Sequence, residues 1–586
     1  MLRSRGAHRP VGGQESGGKR APGDLTQAPD PVKPVRRRNR LAAPKDRRAK
    51  KARGIAVDVQ DVGGSCKCRD SWQAPRDAED RANPAAVRGQ GYPPVVVARQ
   101  EFELIDIRFS SSAAVRQHMK NVHGHSLPGL SSRLGNPLPE RLGVGAGTAL
   151  LVAGSTEHSS RQITSLSIQS ANEAFRPLVG RVVRHSDGRR WEWWALVEFG
   201  PVSAVETRNL AVVAELRGGE TATSPLGEIE LHPRTVQCAE RELPELPDSG
   251  EPGVAVAMAT WNPPTDLFRA QIESIRAQSH RNWVCVISDD ASAPESIAAM
   301  EEVLGDDARF TLHRHSERLG FYGNFERVLA LIPETAKLVA LSDQDDRWHA
   351  NKLAALASGF GPGTMLAYSD MRIVDSEGAL LSPTYWSRRP TNHADIGKLL
   401  VANTITGAAS MFRRELLDQI LPFPPARQAM FHDHWVALVA LSRGEISYCE
   451  RALSDYVQHG AAALGHEGAN RGADPAPKER LKWLRLASEA TLGAGAPNFY
   501  EDAYLPALVM ARTLELRGDA SGDRRKARAV RAISDSSLNL DAIRLLAAGA
   551  LRSGSLGTAT LGRERWFLAS LAWQALARAR RRARLR

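Results

Sequence analysis

The sequence predicts a chain in three parts: an all-β sandwich, an α/β region and a helical C-terminal region. Three observations lead there. Apolar runs of strand length at residues 254–260, 283–288 and 337–340 are separated by helical patterns, the alternation of a parallel α/β sheet. Trp191, Trp193, Ala195, Val197 and Phe199 recur with period two, as do Leu210, Val212, Ala214 and Leu216, so each set lies on one face of a strand. From residue 468 onward the pattern is mostly helical, with turns at residues 493–495 and at Gly518.

Residues 1–92 are rich in Arg, Pro, Gly and Ala and almost without periodic apolar positions. Such a segment buries too little to offset its ordering entropy and is expected to be a disordered basic tail. The chain's net charge of +12 is concentrated in the first fifty residues and in the last nine, 578–586. That distribution suits polyanions or anionic lipid at the two ends. The tail offers almost no aromatic side chains for base stacking and the chain has no recognisable reading module, so no nucleic-acid partner is expected. Cys66 and Cys68 with His118, His123 and His125 fit no common zinc spacing. Five scattered cysteines and a polar, Arg-rich stretch at residues 1–13 point to a reducing, cytoplasmic setting. No apolar run reaches the roughly 20 residues that span a bilayer.

Residues 93–235 carry the β-sandwich pattern. Asp187-Gly188 is a hairpin signal, and Arg217-Gly218-Gly219-Glu220 reads as a turn. Trp191 and Trp193 are expected in its core, while Trp194 points to the opposite face, where packing and sugar stacking both remain open. Residues 236–253, with repeated Pro, Glu and Gly, form a linker.

Residues 254–467 carry the chemistry. The first strand breaks at Trp261-Asn262-Pro263-Pro264, and Phe268, Ile272 and Ile275 then share a helix face. The second strand ends at Asp289-Asp290, a third lies near Phe310, and helices are expected from Pro294 and from Asn324. The fourth strand ends in Ser342-Asp343-Gln344-Asp345-Asp346-Arg347-Trp348. Two βαβ units bring Thr260, Asp289, Asp290, Asp343 and Asp345 to one sheet edge, where ligands of open α/β sheets sit. Crowded carboxylates repel one another, and a hard divalent cation relieves the repulsion. A solvated acidic turn before the next helix, capped by Asp346 or Asn351, is the purely structural use of the same residues. Neither a dinucleotide fingerprint nor a Walker pattern is present, so phosphate charge would fall to a metal. Asp433 opens a helix running through Val436, Leu438 and Leu441, where an acid also complements the helix dipole.

Ala259-Thr260-Trp261-Asn262, Ile287-Ser288-Asp289-Asp290, Gly323-Asn324-Phe325 and the Ser342–Trp348 segment together resemble glycosyltransferase family 2, above all its bacterial rhamnosyltransferase-like branch. Tyr368-Ser369-Asp370, Asn403-Thr404-Ile405-Thr406-Gly407, His432-Asp433-His434-Trp435 and Tyr456-Val457-Gln458-His459-Gly460 follow in the same order. The resemblance implies a GT-A fold, a nucleotide-sugar donor, a divalent cation (magnesium or manganese) and inversion at the anomeric carbon. It implies that Thr260, Asp289 and Asp290 hold base and ribose, that Asp343 reaches the ribose, and that Asp345 binds the metal. Asp433 falls at the general base, and His459 at a histidine that completes the metal shell in some members. Ala461-Ala462-Ala463 departs from the Ser or Asn that often follows in the family, which puts one polar contact in doubt.

The expected activity is sugar transfer to a hydroxyl of a cell-surface or cell-wall glycan, free or lipid-linked. The order of parts is also similar to the galactofuranosyltransferases of actinobacterial cell walls. A non-catalytic glycan-binding protein on a transferase fold is the alternative from another class. Near the C-terminus, Trp566, Phe567, Leu571 and Trp573 precede six arginines from Arg578 to Arg586. That pattern suits a helix lying on an anionic membrane surface, at the inner face of the plasma membrane, and equally a helix packed on the protein with a basic end.

Overall fold

The computed structural model describes residues 128–459 and 504–585, less 172, 179–182, 186, 235–245, 247–249, 387–389, 426–429, 519–521, 536–539, 553–558 and 561–562. The expected basic tail, the Cys66/Cys68/His118/His123/His125 group, the turn at 493–495 and residues 461–463 lie outside the described residues, as does most of the linker.

The first strands are β1 (Leu130–Leu134), β2 (Arg141–Gly143), β3 (Thr148–His158), β4 (Ile163–Ser170), β5 (Glu173–Phe175), β6 (Val183–Arg184), β7 (Arg190–Phe199), β8 (Glu206–Leu216) and β9 (Thr221–His232). They form two sheets, in the orders β1-β3-β7-β6 and β2-β9-β8-β4-β5. Every neighbouring pair is antiparallel except β2 with β9. The period-two faces of β7 and β8 meet in one shared core, with Trp191 and Trp193 inside it. Trp193 Nε1 keeps a partner there, donating to Thr156 Oγ1 at 2.8 Å. Trp194 turns the other way and packs against a second core, that of the α/β and helical regions.

That region follows as β10 (Val254–Thr260), α1 (Thr265–Arg276), β11 (Trp283–Asp289), α2 (Pro294–Leu304), β12 (Phe310–Arg314), α3 (Gly320–Ala330) and β13 (Leu338–Ser342). The chain continues through β14 (Arg347–Trp348), α4 (Lys352–Ala357), β15 (Thr364–Asp375), β16 (Leu380–Ser382), α5 (Ile396–Val401), β17 (Ser410–Arg413), α6 (Leu417–Ile420), α7 (His432–Arg443) and β18 (Glu445–Gln458). The sheet order is β12-β11-β10-β13-β17-β15-β18-β14, with β16 on β15. From β12 to β13 the strands are parallel, so Thr260 and Asp289 are paired in register and Ser342 stands beside Met258. Strand alternation sends Val256, Cys285 and Ala340 to a core with α1 and α2, and Ala257, Val286 and Leu341 to the opposite core with α3 and α7.

Two expectations are corrected. The sheet is mixed, not wholly parallel: β17 lies antiparallel between β13 and β15. It enters from a tight turn at Gly407–Ala409, and Met411 pairs with Ala340 on one side and Ala367 on the other, antiparallel to both. Helix α3 begins at Gly320, about one turn before Asn324, because Asp290 accepts the Leu319 and Gly320 amides at 2.8 and 2.7 Å.

The C-terminal helices are α8 (Leu505–Leu516), α9 (Arg524–Ser534), α10 (Leu540–Arg552) and α11 (Glu564–Leu585). Helix α8 is wedged between the first sheets and the α/β region. Arg512 makes a two-pronged pair with Glu198 of β7 at 2.8 and 3.0 Å, and Thr513 accepts the Ala149 amide at 3.3 Å. Beyond the helix, Arg517 donates to the carbonyls of Gly147, Gln419, Ile420 and Pro422. In α11, Phe567 and Leu571 are buried in the same core, Phe567 edge-on to Tyr504 at 5.5 Å. The packed arrangement therefore holds for this part of the helix. Among the described residues no helix is long and apolar enough to cross a membrane.

Candidate active site

Three parallel strands end at one edge of the sheet, and each ends on polar side chains. Thr260 Oγ1 donates to Asp289 Oδ1 at 3.1 Å. Asp289 also accepts the amide and hydroxyl of Ser292. Asp290 accepts the two amides before α3 and pairs with the buried Arg327 at 3.2 Å. The carboxylates of Asp289 and Asp290, expected at the donor, are thus engaged by protein groups that fix the loops around the cleft. Asn262 and Ala291 adopt the left-handed backbone region, φ 41° and 60°. Asn262 joins these two loops, its amide donating to Ser292 Oγ at 2.7 Å and its Oδ1 accepting the Ala293 amide at 2.9 Å.

The loop after β13 is tied to the loop after β10 by Gln344, whose Oε1 accepts the Trp261 amide at 2.8 Å and whose Nε2 donates to the Trp261 carbonyl at 3.3 Å. Trp261 is left exposed on its outer side, with the Arg318 guanidinium 3.4 Å from the ring centroid. Asp345 and His459 come together, Oδ2 to Nε2 at 2.9 Å, although they lie on different elements. Asp343 is pushed up to about 7 by burial and by the neighbouring Asp345 and Asp433 carboxylates, against the pull of Lys352. Burial, and then the Asp343 and Asp345 carboxylates, raise Asp346.

Lys352 is the cation inside this acidic group. It is fully buried, stands 3.9 Å over the Trp348 ring and donates to the Ala408 carbonyl. It joins the β13 loop to the turn at Gly407–Ala409. Gly407 in turn donates its amide to Asp433 Oδ2 at 3.2 Å. Asp433 Oδ1 accepts the His434 amide at 2.6 Å, as expected for an acid in the first turn of a helix. Burial nevertheless raises Asp433 to about 6, opposed by the Gly407 and His434 amides and the Asn403 side chain.

The expected Asp343, Asp345, Asp433 and His459 therefore converge from β13, α7 and β18. Lys352 and Arg327 were not anticipated as parts of this edge, and Gln344 and Gly407, though inside quoted motifs, were given no task. A lysine opening the apolar run Lys352-Leu353-Ala354-Ala355-Leu356 and an arginine between Phe325 and Val328 are the signals that point to buried cations. Among the described residues no group of three or more His, Cys, Asp or Glu is arranged to hold a metal ion. Asp345 and His459 supply one oxygen and one nitrogen donor.

Residues 255–421 match a family model. That family is glycosyl transferase family 2. The matched segment takes in Thr260, Asp289, Asp290, Asp343 and Asp345 and ends before Asp433 and His459. An uncharacterized glycosyltransferase of Nostoc sp. is 24% identical over 220 residues, 36% of this chain and 65% of that protein. The chain thus spans just under two thirds of the length of this curated relative. Among solved structures, TarS residues 1–349 of S. aureus with UDP-GlcNAc is similar at 14% identity and TM-score 0.32, covering 56% of this chain and 92% of that one. A mannosyltransferase of Pyrobaculum calidifontis, solved with GDP-Man and Mn2+, is similar at 18% identity and TM-score 0.28, covering 56% and 87%.

Proposed function

We propose that this chain is an inverting glycosyltransferase of GT-A type, moving a sugar from a nucleotide-sugar donor to a hydroxyl of a cell-surface or cell-wall glycan. The observation that carries the reading is the approach of Asp433, from a helix outside the parallel strands, to the carboxylates at the end of β13. Electrostatic coupling between Asp433 and Asp343 supports it. The family 2 match over residues 255–421 supports the donor side.

In this reading Asp343 receives the ribose of the donor, while Thr260, Asp289 and Asp290 shape the base and ribose pocket through the loops they hold. Asp345 and His459 would hold a divalent cation, magnesium or manganese, the Asp345 carboxylate as its oxygen donor and the His459 imidazole, 2.9 Å away, completing the shell. A cation held there would supply positive charge against the departing diphosphate. Asp433 takes the proton of the attacking acceptor hydroxyl. A carboxylate raised to about 6 is a stronger base than an ordinary one and is still ionised at neutral pH. Attack from the Asp433 side, opposite the leaving group, gives inversion.

The resemblance of the Ser342–Trp348 and His432–Trp435 motifs to the bacterial rhamnosyltransferase-like branch favours a rhamnosyltransferase-like donor. The acceptor is a glycan or lipid-linked glycan met at the cytoplasmic face of the membrane, with the Arg-rich end of the chain near anionic lipid. The test is a screen of nucleotide sugars for binding and slow hydrolysis with added magnesium or manganese. One or a few donors should be bound and hydrolysed; a chain that binds none with either metal is not a transferase.

A further inference from the structure

The chemistry proposed above gives no task to Asp370, of the Tyr368-Ser369-Asp370 motif, yet its buried carboxylate is fully engaged. It accepts the Met371 and Tyr385 amides at 2.8 and 3.0 Å and the Thr384 hydroxyl, which pins the loop at residues 383–386 to β15. Ala340, Met411 and Ala367 stand level across β13, β17 and β15. Strand β13 then ends at Ser342, whereas β15 continues beside β18 as far as the pair Asp375–Gln458. The two strands therefore project past the edge that carries Asp343 and Asp345, and the pinned loop lies along them. The side chains gathered there are aromatic. Tyr456 of β18 and Tyr385 pack with Met371 on Ala408 and Ala409, in the turn whose Gly407 amide holds Asp433. Tyr385 stands edge-on to Tyr456 at 5.8 Å and to Trp386 at 4.8 Å. Burial, then Tyr385 and the Asp346, Asp343 and Asp345 carboxylates, push the Tyr456 phenol up, which sets that ring beside the acids. The group is open to solvent. Tyr456, Tyr385, Trp386, Asp343 and Asp433 are each half-buried, and the Asp345 side chain is 21% exposed. Leu380 and Leu381, just before the loop, are 57% and 49% exposed, so the loop stands at the surface.

We propose that Tyr456, Tyr385 and Trp386 form the subsite for the acceptor sugar, a wall on which its C–H face lies while the attacking hydroxyl meets Asp433. The inference rests on the transferase reading and deepens it. In the strand order, Thr260 and Asp289 stand on one side of β13, and β15 and β18 on the other. A nucleotide held at Thr260 and Asp289 leaves the aromatic side to the second substrate. A saccharide fits the chemistry of that side: its C–H face covers a ring, and its hydroxyls reach the few polar atoms set beside an apolar lining. A phosphate does not fit, since the charges nearest Tyr456 are carboxylates.

The test uses the full chain, the nucleotide sugar that the wild type hydrolyses, and a panel of methyl and p-nitrophenyl glycosides as acceptors. Trp386→Ala removes the ring at the end of the row; Trp386→Phe restores an aromatic face. The KM for the best glycoside should rise about tenfold in Trp386→Ala, roughly what one stacked ring is worth, and Trp386→Phe should recover most of that loss. Donor hydrolysis should stay within about twofold of wild type, because attacking water needs no wall to lie on. If Trp386→Ala fails to fold, Trp386→Leu keeps the bulk without a ring face and should raise the KM severalfold. An unchanged acceptor KM in the folded variants overturns the inference alone, as does a wild type that hydrolyses its donor but passes sugar to no glycoside on the panel. So does hydrolysis that falls in parallel with transfer, because the rings would then serve the donor or the fold. A wild-type chain that neither binds nor hydrolyses any nucleotide sugar overturns the transferase reading and this inference with it.

Discussion

Asp433→Asn separates stability from chemistry at one position, and the two should move in opposite directions. Burial lifts the Asp433 carboxyl from the ordinary 3.8 to about 6, even though two backbone amides and Asn403 favour its ionised form. A raised value in the folded state means the fold prefers the protonated acid. Its contribution to stability is complete below the ordinary value and is lost as pH rises through about 6. A displacement of this size corresponds to roughly 3 kcal/mol of destabilisation above neutral pH. Asparagine has no charge to desolvate, but it accepts with one oxygen where the acid used two, a loss of about 1 kcal/mol. The variant should therefore be more stable than wild type by on the order of 2 kcal/mol at about pH 8, and slightly less stable near pH 4. Transfer should meanwhile fall by roughly 10²–10⁴, with donor binding retained, because the amide cannot take the proton. Urea denaturation at both pH values, beside a transfer assay, measures each part. Equal destabilisation at both pH values would refute the electrostatic account, and an unchanged transfer rate would remove Asp433 from the chemistry.

Three further outcomes follow from contacts already described. Asp345→Ala should abolish metal-dependent donor binding, read by calorimetric titration of nucleotide with manganese, while circular dichroism stays that of wild type; full binding by the variant, or full turnover in chelator, would exclude the cation site. Arg327→Met leaves the buried Asp290 carboxylate without its guanidinium and should cost roughly 3–5 kcal/mol in denaturant unfolding. Phe567→Ala empties a fully buried site against Tyr504 and should cost about 3–5 kcal/mol. A tail whose aromatic residues served lipid alone would lose vesicle binding instead, with no change in melting temperature.

Strands β10, β11 and β13 were legible because a parallel sheet buries both faces, so each strand reads as an unbroken apolar run that stops where the cleft begins. The faces of β7 and β8 were legible for the opposite reason, a clean period of two. Asp343, Asp345, Asp433 and His459 could be named from their motifs, but their meeting depends on β17 turning back along β13 and bringing Gly407 beside α7. Nothing local in the sequence encodes that reversal. Gln344 was given no task and Lys352 escaped notice because their partners, the Trp261 backbone and the Ala408 carbonyl, lie 83 and 56 residues away. The same holds for Trp194: its period placed it on the far face of β7, and only the folded chain brings the second core against that face.

Helix α8 also decides how the chain can move. Arg512 grips β7, and Arg517 takes carbonyls from before β3 and from the end of α6 through Pro422. A hinge between the first sheets and the α/β sheet would have to break these bonds together, in a buried setting where each unmade one is expensive. The first nine strands are therefore held at a set distance and angle from Asp433. The chain works as a gauge of fixed span, not as two hands on a tether.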